Sequence, residues 1–185
     1  MRIKIFYAAC LFVLGMGTLL FYWNRPFSTR LAAYATDLSA RTPAQRLNIE
    51  RVQRILSGYI LPSGKELSLN QSAGPYTKER GYLPERSFRE KGVAMTAGGG
   101  VCQFASTLYN AARIAGLQIL ERVPHSQAVE SVPEGMDATV AYGVADLKFK
   151  NPYPFPIKIT SKIAQDQLRV EVWGKKEPNN DSNSL

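Results

Sequence analysis

Residues 98–116 read GGGVCQFASTLYNAARIAG, and the fold turns on how this stretch is parsed. Phe104, Leu108, Ala111, Ala112 and Ala115 recur at helical spacing, and Gly116 follows them as a C-terminal stop. The pattern predicts a central helix over 102–115. Downstream the period shortens toward alternation, which predicts strands at 117–123, 127–131, 137–142, 147–149, 157–163 and 167–173. Turn residues such as Pro133-Glu134-Gly135 and Asn151-Pro152 separate them. One buried helix followed by five or six strands implies an α+β fold, with the cysteine-bearing helix packed on an antiparallel sheet.

Upstream, Leu47, Ile49, Val52 and Ile55 place a second helix over 41–56, with Thr42 as N-cap, Pro43 in the first turn and Gly58 beyond its end. Short strands are expected at 59–61 and 66–69 around Pro62-Ser63-Gly64, and irregular structure over 73–87. The first segment is of another kind. Residues 5–23 (IFYAACLFVLGMGTLLFYW) carry no charge over a length that spans roughly 30 Å of hydrocarbon as a helix. Arg2 and Lys4 precede it, and Tyr22 and Trp23 close it as interfacial aromatics, so the expected topology is a cytoplasmic N-terminus and an exported remainder. A cleaved signal peptide is the rival, with Ala33-Tyr34-Ala35 as its best cleavage site. The expected organisation is an anchor over 1–24, an extracytoplasmic domain over 25–174 and a polar tail over 175–185.

With 185 residues there is room for one domain and a short appendage, hence for one principal site. Lys and Arg exceed Asp and Glu by 23 to 15, without the dense basic runs of nucleic-acid-binding arms. No nucleic-acid partner is expected. Such a charge suits anionic lipid headgroups or wall polymers, and equally plain solubility. Cys10 falls inside the apolar run, leaving Cys102 as the one exported cysteine. A single histidine with a single exported cysteine does not supply a zinc site, and Gly98-Gly99-Gly100 lacks the spacing of a phosphate or dinucleotide loop, so no metal or cofactor is expected.

The candidate chemistry gathers around Cys102. Gly98, Gly99 and Gly100 permit close backbone approach, and a cysteine in the first turn of a helix is expected to have its thiol pKa lowered by the helix dipole. A glycine turn with an inert buried cysteine behind it remains the alternative. His125 and Asp137 follow in the chain order of papain-like and transglutaminase-like cysteine enzymes, with Cys102 as nucleophile, His125 as base and Asp137 orienting it. A satisfied histidine and a turn-capping aspartate would look the same in sequence. Gln103, Ser106 and Asn110 are candidate substrate-binding residues on the same helix, although local hydrogen bonding explains such residues equally well.

These residues resemble a known family. Residues 98–116, His125-Ser126, 135–140 (GMDATV) and 146–151 (DLKFKN) are similar to the VanW-like family, as are RLNI at 46–49, Leu61-Pro62, Ser68-Leu69-Asn70, GPYT at 74–77 and Gly81-Tyr82. The resemblance covers roughly residues 28–173. Phe104-Ala105 stands where Val-Ser or Val-Thr is more usual, and Pro62-Ser63-Gly64-Lys65 interrupts a common Pro-Gly-Glu turn; neither touches Cys102, His125 or Asp137. The resemblance implies a place among proteins found beside vancomycin-type resistance genes, but no established reaction. The expected function is therefore an extracytoplasmic, cell-wall-associated one with peptidoglycan or its precursors as partner. Three readings stay open: a Cys-His-Asp hydrolase or acyltransferase acting on stem peptides, a non-catalytic module that binds them, or a scaffolding partner of a wall-synthesis complex with no small-molecule site.

Overall fold

Alternation in the last two strands decides which side of the main sheet is buried. In the computed structural model, which describes residues 26–89 and 92–175, strands β8 (Ile157–Ala164) and β9 (Gln167–Gly174) form a hairpin. Gln165 and Asp166 both take positive φ, the geometry of a two-residue turn whose twist matches its strands. Ile157, Ile159, Leu168, Val170 and Val172 are fully buried on one face. Strand β1 (Thr29–Asp37) pairs with β9 and β2 (Tyr59–Leu61) with β8, giving an antiparallel sheet in the order β1-β9-β8-β2.

Helix α1 (Pro43–Leu56) begins as its sequence predicts: the Thr42 side chain accepts from the Gln45 N–H, and the Gln45 side chain accepts from the Thr42 N–H. It buries Ile49, Val52 and Leu56 in the core shared with the sheet. Strand β3 (Glu66–Ser68) leads into the one-turn helix α2 (Leu69–Ala73), and β4 (Pro84–Arg89) with β5 (Gly92–Ala97) makes a separate hairpin. Helix α3 (Val101–Ile114) follows, then β6 (Gln118–Glu121) and β7 (Lys148–Lys150), which join β3 in a three-stranded antiparallel sheet ordered β3-β7-β6. The α+β class and the central cysteine-bearing helix agree with the sequence reading.

Several elements differ from expectation. Strand β1 carries Ala32, Ala33 and Ala35, a weak strand signal, yet it pairs with β9 along its length, and on its inner face, where Ala32 is buried, Thr36 shares a buried 2.8 Å hydrogen bond with Thr107 of α3. Ala33 to Ala35 lie mid-strand, paired with Glu171 to Arg169, so cleavage there would remove an edge of the sheet. The stretch 84–87, expected to be irregular, begins the β4–β5 hairpin. Residues 127–131 form no strand, and 137–142 contains only isolated bridges, Val123 to Thr139 and Ala141 to Ala145. Thr139 already occupies the place beside Val123, and Pro124 and Pro133 bracket the stretch between, so 127–131 has no strand to pair with.

Among the described residues no helix is long and apolar enough to cross a membrane; the predicted span 5–23 lies outside them, as do Cys10 and the tail beyond Lys175.

Asn48, fully buried on α1, ties the helix to two loops: its Nδ2 donates to the carbonyls of Leu83 and Gly99, both at 3.0 Å, and its Oδ1 accepts from the Leu83 N–H at 2.7 Å. Asn48→Ala leaves these backbone groups without their partner and is expected to destabilise the fold by about 2–3 kcal/mol. Urea unfolding followed by tryptophan fluorescence measures it, and a loss under roughly 0.5 kcal/mol would show that water replaces the amide.

Candidate functional site

Helix α3 is buried on almost every side, so its polar residues must be bonded within the protein. On one flank, the Gln103 side chain donates to Thr36 Oγ1 and, at 2.7 Å, to the Asp37 carbonyl, and accepts from Arg41 Nε. Gln103 thus secures α3 to the end of β1. On another flank, Cys102, Ser106 and Asn110 recur every four residues and meet the extended segment 136–140 at every second residue. Asn110 Nδ2 donates to the Met136 carbonyl at 2.7 Å, and Ser106 Oγ accepts from the Ala138 N–H at 2.9 Å. Cys102 Sγ accepts from the Val140 N–H at 3.5 Å and donates to the Val140 carbonyl at 3.6 Å.

The periods match: four helical residues rise about 6.0 Å and two extended residues about 6.6 Å. The helix therefore does for 136–140 what a neighbouring strand would do. Ser106 and Asn110 also bond back to the carbonyls of Cys102 and Ser106, each at 2.8 Å. This is the locally hydrogen-bonded alternative, extended into a tertiary ladder.

The ladder governs the thiol. Although Cys102 keeps some exposed surface, burial pushes its pKa above the ordinary thiol value. The Val140 N–H offsets part of that rise, and the Asp137 carboxylate adds to it. The depressed value expected from the helix terminus is thus not the balance reached here, because desolvation outweighs the terminal N–H groups.

The glycines ahead of the helix have packing reasons. A Cβ on Gly98 would lie 2.7 Å from Tyr76 Cβ, and one on Gly100 2.9 Å from the Gln45 carbonyl oxygen, while both residues take positive φ. Gly99 is buried, its carbonyl accepting from Asn48. The loop is fitted against α1 and Tyr76 and is not an open cradle of N–H groups.

His125 and Asp137 do come together. Asp137 Oδ2 lies 2.7 Å from His125 Nδ1 and accepts from the His125 backbone N–H at 2.6 Å. Arg122 clamps the other side, Nη2 to Asp137 Oδ1 at 2.7 Å and Nε to the Asp137 carbonyl at 2.6 Å. Burial alone would raise the Asp137 carboxyl, but the His125 N–H groups and the Arg122 guanidinium together hold it below the ordinary carboxylate value. An ionised carboxylate only accepts, so Nδ1 carries the imidazole proton. Nε2 makes no hydrogen bond among the described residues. The His125 side chain is 23% exposed against 11% for Asp137, so the ring is the accessible member of the pair.

That pair opens on a cleft of about 300 Å³ walled by the loop after β6, including Arg122, His125, Val129, Val132, Glu134 and Asp137. Cys102, Gly98, Gly99, Gly100, Gln103, Ser106 and Asn110 do not line it, and no hydrogen bond joins Cys102 to His125 among the described residues. The predicted residues thus divide into an inner ladder of Cys102, Ser106 and Asn110, an outer cleft holding His125 and Asp137, and a packing set of Gln103 and the three glycines; segment 136–140 links the first two. Arg122 escapes sequence reasoning because an arginine at a strand end carries no local signal; only the tertiary approach of Asp137 reveals it. Among the described residues, no three His, Cys, Asp or Glu side chains converge as metal ligands would.

A family model described as VanW like protein matches residues 44–173, which takes in all but the first residue of α1, the whole of α2 and α3, the ladder and the cleft. The chain belongs to the VanW-like family. One relative is the uncharacterized protein YoaR of Bacillus subtilis (strain 168), 35% identical over 133 residues that cover 72% of this chain and 44% of that protein. A second is the vancomycin B-type resistance protein VanW of Enterococcus faecalis (strain ATCC 700802 / V583), 24% identical over 138 residues, 71% of this chain and 50% of that protein. This VanW-like chain spans about half the length of the curated relatives it matches. No solved structure matches it significantly.

Two titrations follow for the VanW-like domain. Alkylation of Cys102 is expected to rise with a midpoint above about 8.5, and Asp137→Asn to bring that midpoint down by removing the adjacent negative charge; a wild-type midpoint well below that figure would restore an activated thiol. Because the folded Asp137 pKa is depressed, its stabilisation is complete above the unfolded value of about 4 and is lost as pH falls through the folded value. Asp137→Asn should therefore flatten the acid limb of the stability profile, and an unchanged acid limb would show that other carboxylates control it.

Proposed function

We propose that this VanW-like domain is a cell-wall-associated module that binds peptidoglycan stem peptides without cleaving them. The apolar segment 5–23 anchors it in the cell membrane with residues 25–174 on the extracytoplasmic side. The observation that carries the reading is the division between ladder and cleft. The Cys102 thiol is engaged by the Val140 N–H and carbonyl and is held protonated by burial, whereas the cleft presents polar groups fixed by two charge-assisted contacts to Asp137. An irregular loop between Pro124 and Pro133 offers backbone groups for recognising a peptide, and Val129 and Val132 offer apolar contact. The Enterococcus relative is named a vancomycin B-type resistance protein, and that likeness supports the reading.

The second reading is a cysteine-dependent hydrolase or acyltransferase. It draws on one feature, the His125 to Asp137 contact that holds the imidazole through Nδ1 and leaves Nε2 without a hydrogen bond among the described residues, as a general base requires.

Calorimetric titration with soluble muropeptides separates the two. Wild type and Cys102→Ser are expected to bind alike, while His125→Ala and Arg122→Ala weaken binding by about tenfold or more, equivalent to about 1.4 kcal/mol. No product is expected by chromatography. Turnover that disappears in Cys102→Ser would overturn the binding reading in favour of the enzyme.

A further inference from the structure

The main sheet has a second face, which neither α1 nor α3 covers. Along β9 the residues pointing away from the core are Arg169, Glu171 and Trp173, alternating with buried Leu168, Val170 and Val172. At one end of this face a single register row crosses all four strands: Arg30 pairs with Trp173, Trp173 with Lys158, and Lys158 with Ile60. Ile60 is half exposed, and the Lys158 ammonium stands 6.0 Å from the centre of the Phe27 ring. Two positions further from that end, Glu171 pairs with Thr160, and beyond them Arg169 with Lys162. Glu171 is neutralised in place, accepting from Arg30 at 3.3 Å, Arg169 at 2.9 Å and the Trp173 indole at 3.0 Å. Arg30, Lys158, Lys162 and Arg169 therefore outnumber the acidic groups facing them, and aromatic and aliphatic groups sit among the cations at one end.

That end is where the chain enters. β1 begins at Thr29, and residues 24–28 between it and the uncharged run 5–23 reach about 17 Å at most when fully extended. A domain so tethered cannot leave the membrane surface, and four strands spaced about 4.8 Å apart give the Arg30-Trp173-Lys158-Ile60 row a width of about 14 Å. Cations with interleaved tryptophan, phenylalanine and isoleucine fit a headgroup layer, in which charge meets lipid phosphate and the rings lie at the interface. A wall polymer would use the cations and could stack sugars on Trp173, but it would leave the exposed aliphatic Ile60 without a role.

We propose that the open face of the β1-β9-β8-β2 sheet docks on an anionic phospholipid surface, with Trp173 and Ile60 at the lipid interface and Arg30, Lys158, Lys162 and Arg169 on its phosphates. The tether in this argument rests on the anchored reading above; the charge and aromatic pattern does not. Docking turns the helical layer, with α3 and its ladder, away from the bilayer.

The test uses the full chain carrying Trp23→Phe, which leaves Trp173 as the only tryptophan. It is reconstituted with vesicles of phosphatidylcholine alone or mixed with phosphatidylglycerol, each with a headgroup spin-labelled lipid as quencher. Docking predicts Trp173 quenching about twofold or more stronger in the anionic vesicles, relieved by about 0.5 M salt. The double substitution Lys158→Glu with Lys162→Glu should abolish the difference. Flotation with phosphatidylcholine vesicles reports the anchor separately: protein that fails to float yet is quenched on anionic vesicles would remove the anchor and keep the docking face. Equal quenching on both vesicle types, or none on either, would overturn the proposal, as would retention on teichoic acid by a protein whose Trp173 no vesicle quenches.

Discussion

A strand needs a partner on each edge or water in its place, and the segment 136–140 has Val123 on one edge and helix α3 on the other. Much of the domain depends on the resulting contact between helix and extended chain. Cys102, Ser106 and Asn110 can serve Val140, Ala138 and Met136 because four helical residues and two extended ones advance by nearly the same distance. With its backbone held this way, the segment delivers Asp137 to His125 and Arg122. The cleft is therefore assembled from a loop that has little regular structure of its own.

The same contact explains why polar residues fill a buried helix. Gln103 and Thr107 meet β1, while Cys102, Ser106 and Asn110 meet 136–140, and the apolar positions Phe104, Leu108, Ala111 and Ala112 join the core. Asn48, Asn70 and Asn151 do similar work elsewhere, each amide bonding backbone at a loop or strand end: Asn48 at Leu83 and Gly99, Asn70 at Ala145, Asn151 at Leu61 and Phe155. Buried amides substitute for secondary structure in a domain whose sheets are small. The arrangement is rigid where satisfied, since a buried amide that loses one partner leaves a donor or acceptor without compensation.

Two charge environments are linked through segment 136–140 and have opposite effects. At Asp137, N–H donors and a guanidinium outweigh burial and favour the anion; at Cys102, burial outweighs the N–H groups of Val140 and Cys102 and disfavours it. The Asp137 anion itself raises the thiol, so the interactions that set up the His125 pair work against a thiolate on the neighbouring helix. The outcome turns on solvent access and on the number of donors at each group, neither of which is a property of residue type.

The sequence by itself determined the elements with strong local signals. The capping box at Thr42 and Gln45, the glycine-bounded helix around Cys102 and the alternating strands of the last hairpin are each specified by neighbours a few residues away. Family membership was legible for a similar reason, since GGGVCQ, STLYNAA and DATV are contiguous words. Tertiary structure alone decided the rest. The alanine-rich β1 is a strand because β9 pairs with it and Thr36 on its inner face bonds Thr107 of α3. Residues 127–131 are not a strand because Thr139 holds the place beside Val123. Arg122 joins the site only when Asp137 arrives from 15 positions away. Whether the thiol in the first turn of α3 ionises depends on how deeply it is buried and on what Val140 and Asp137 bring to it, and long-range packing sets both.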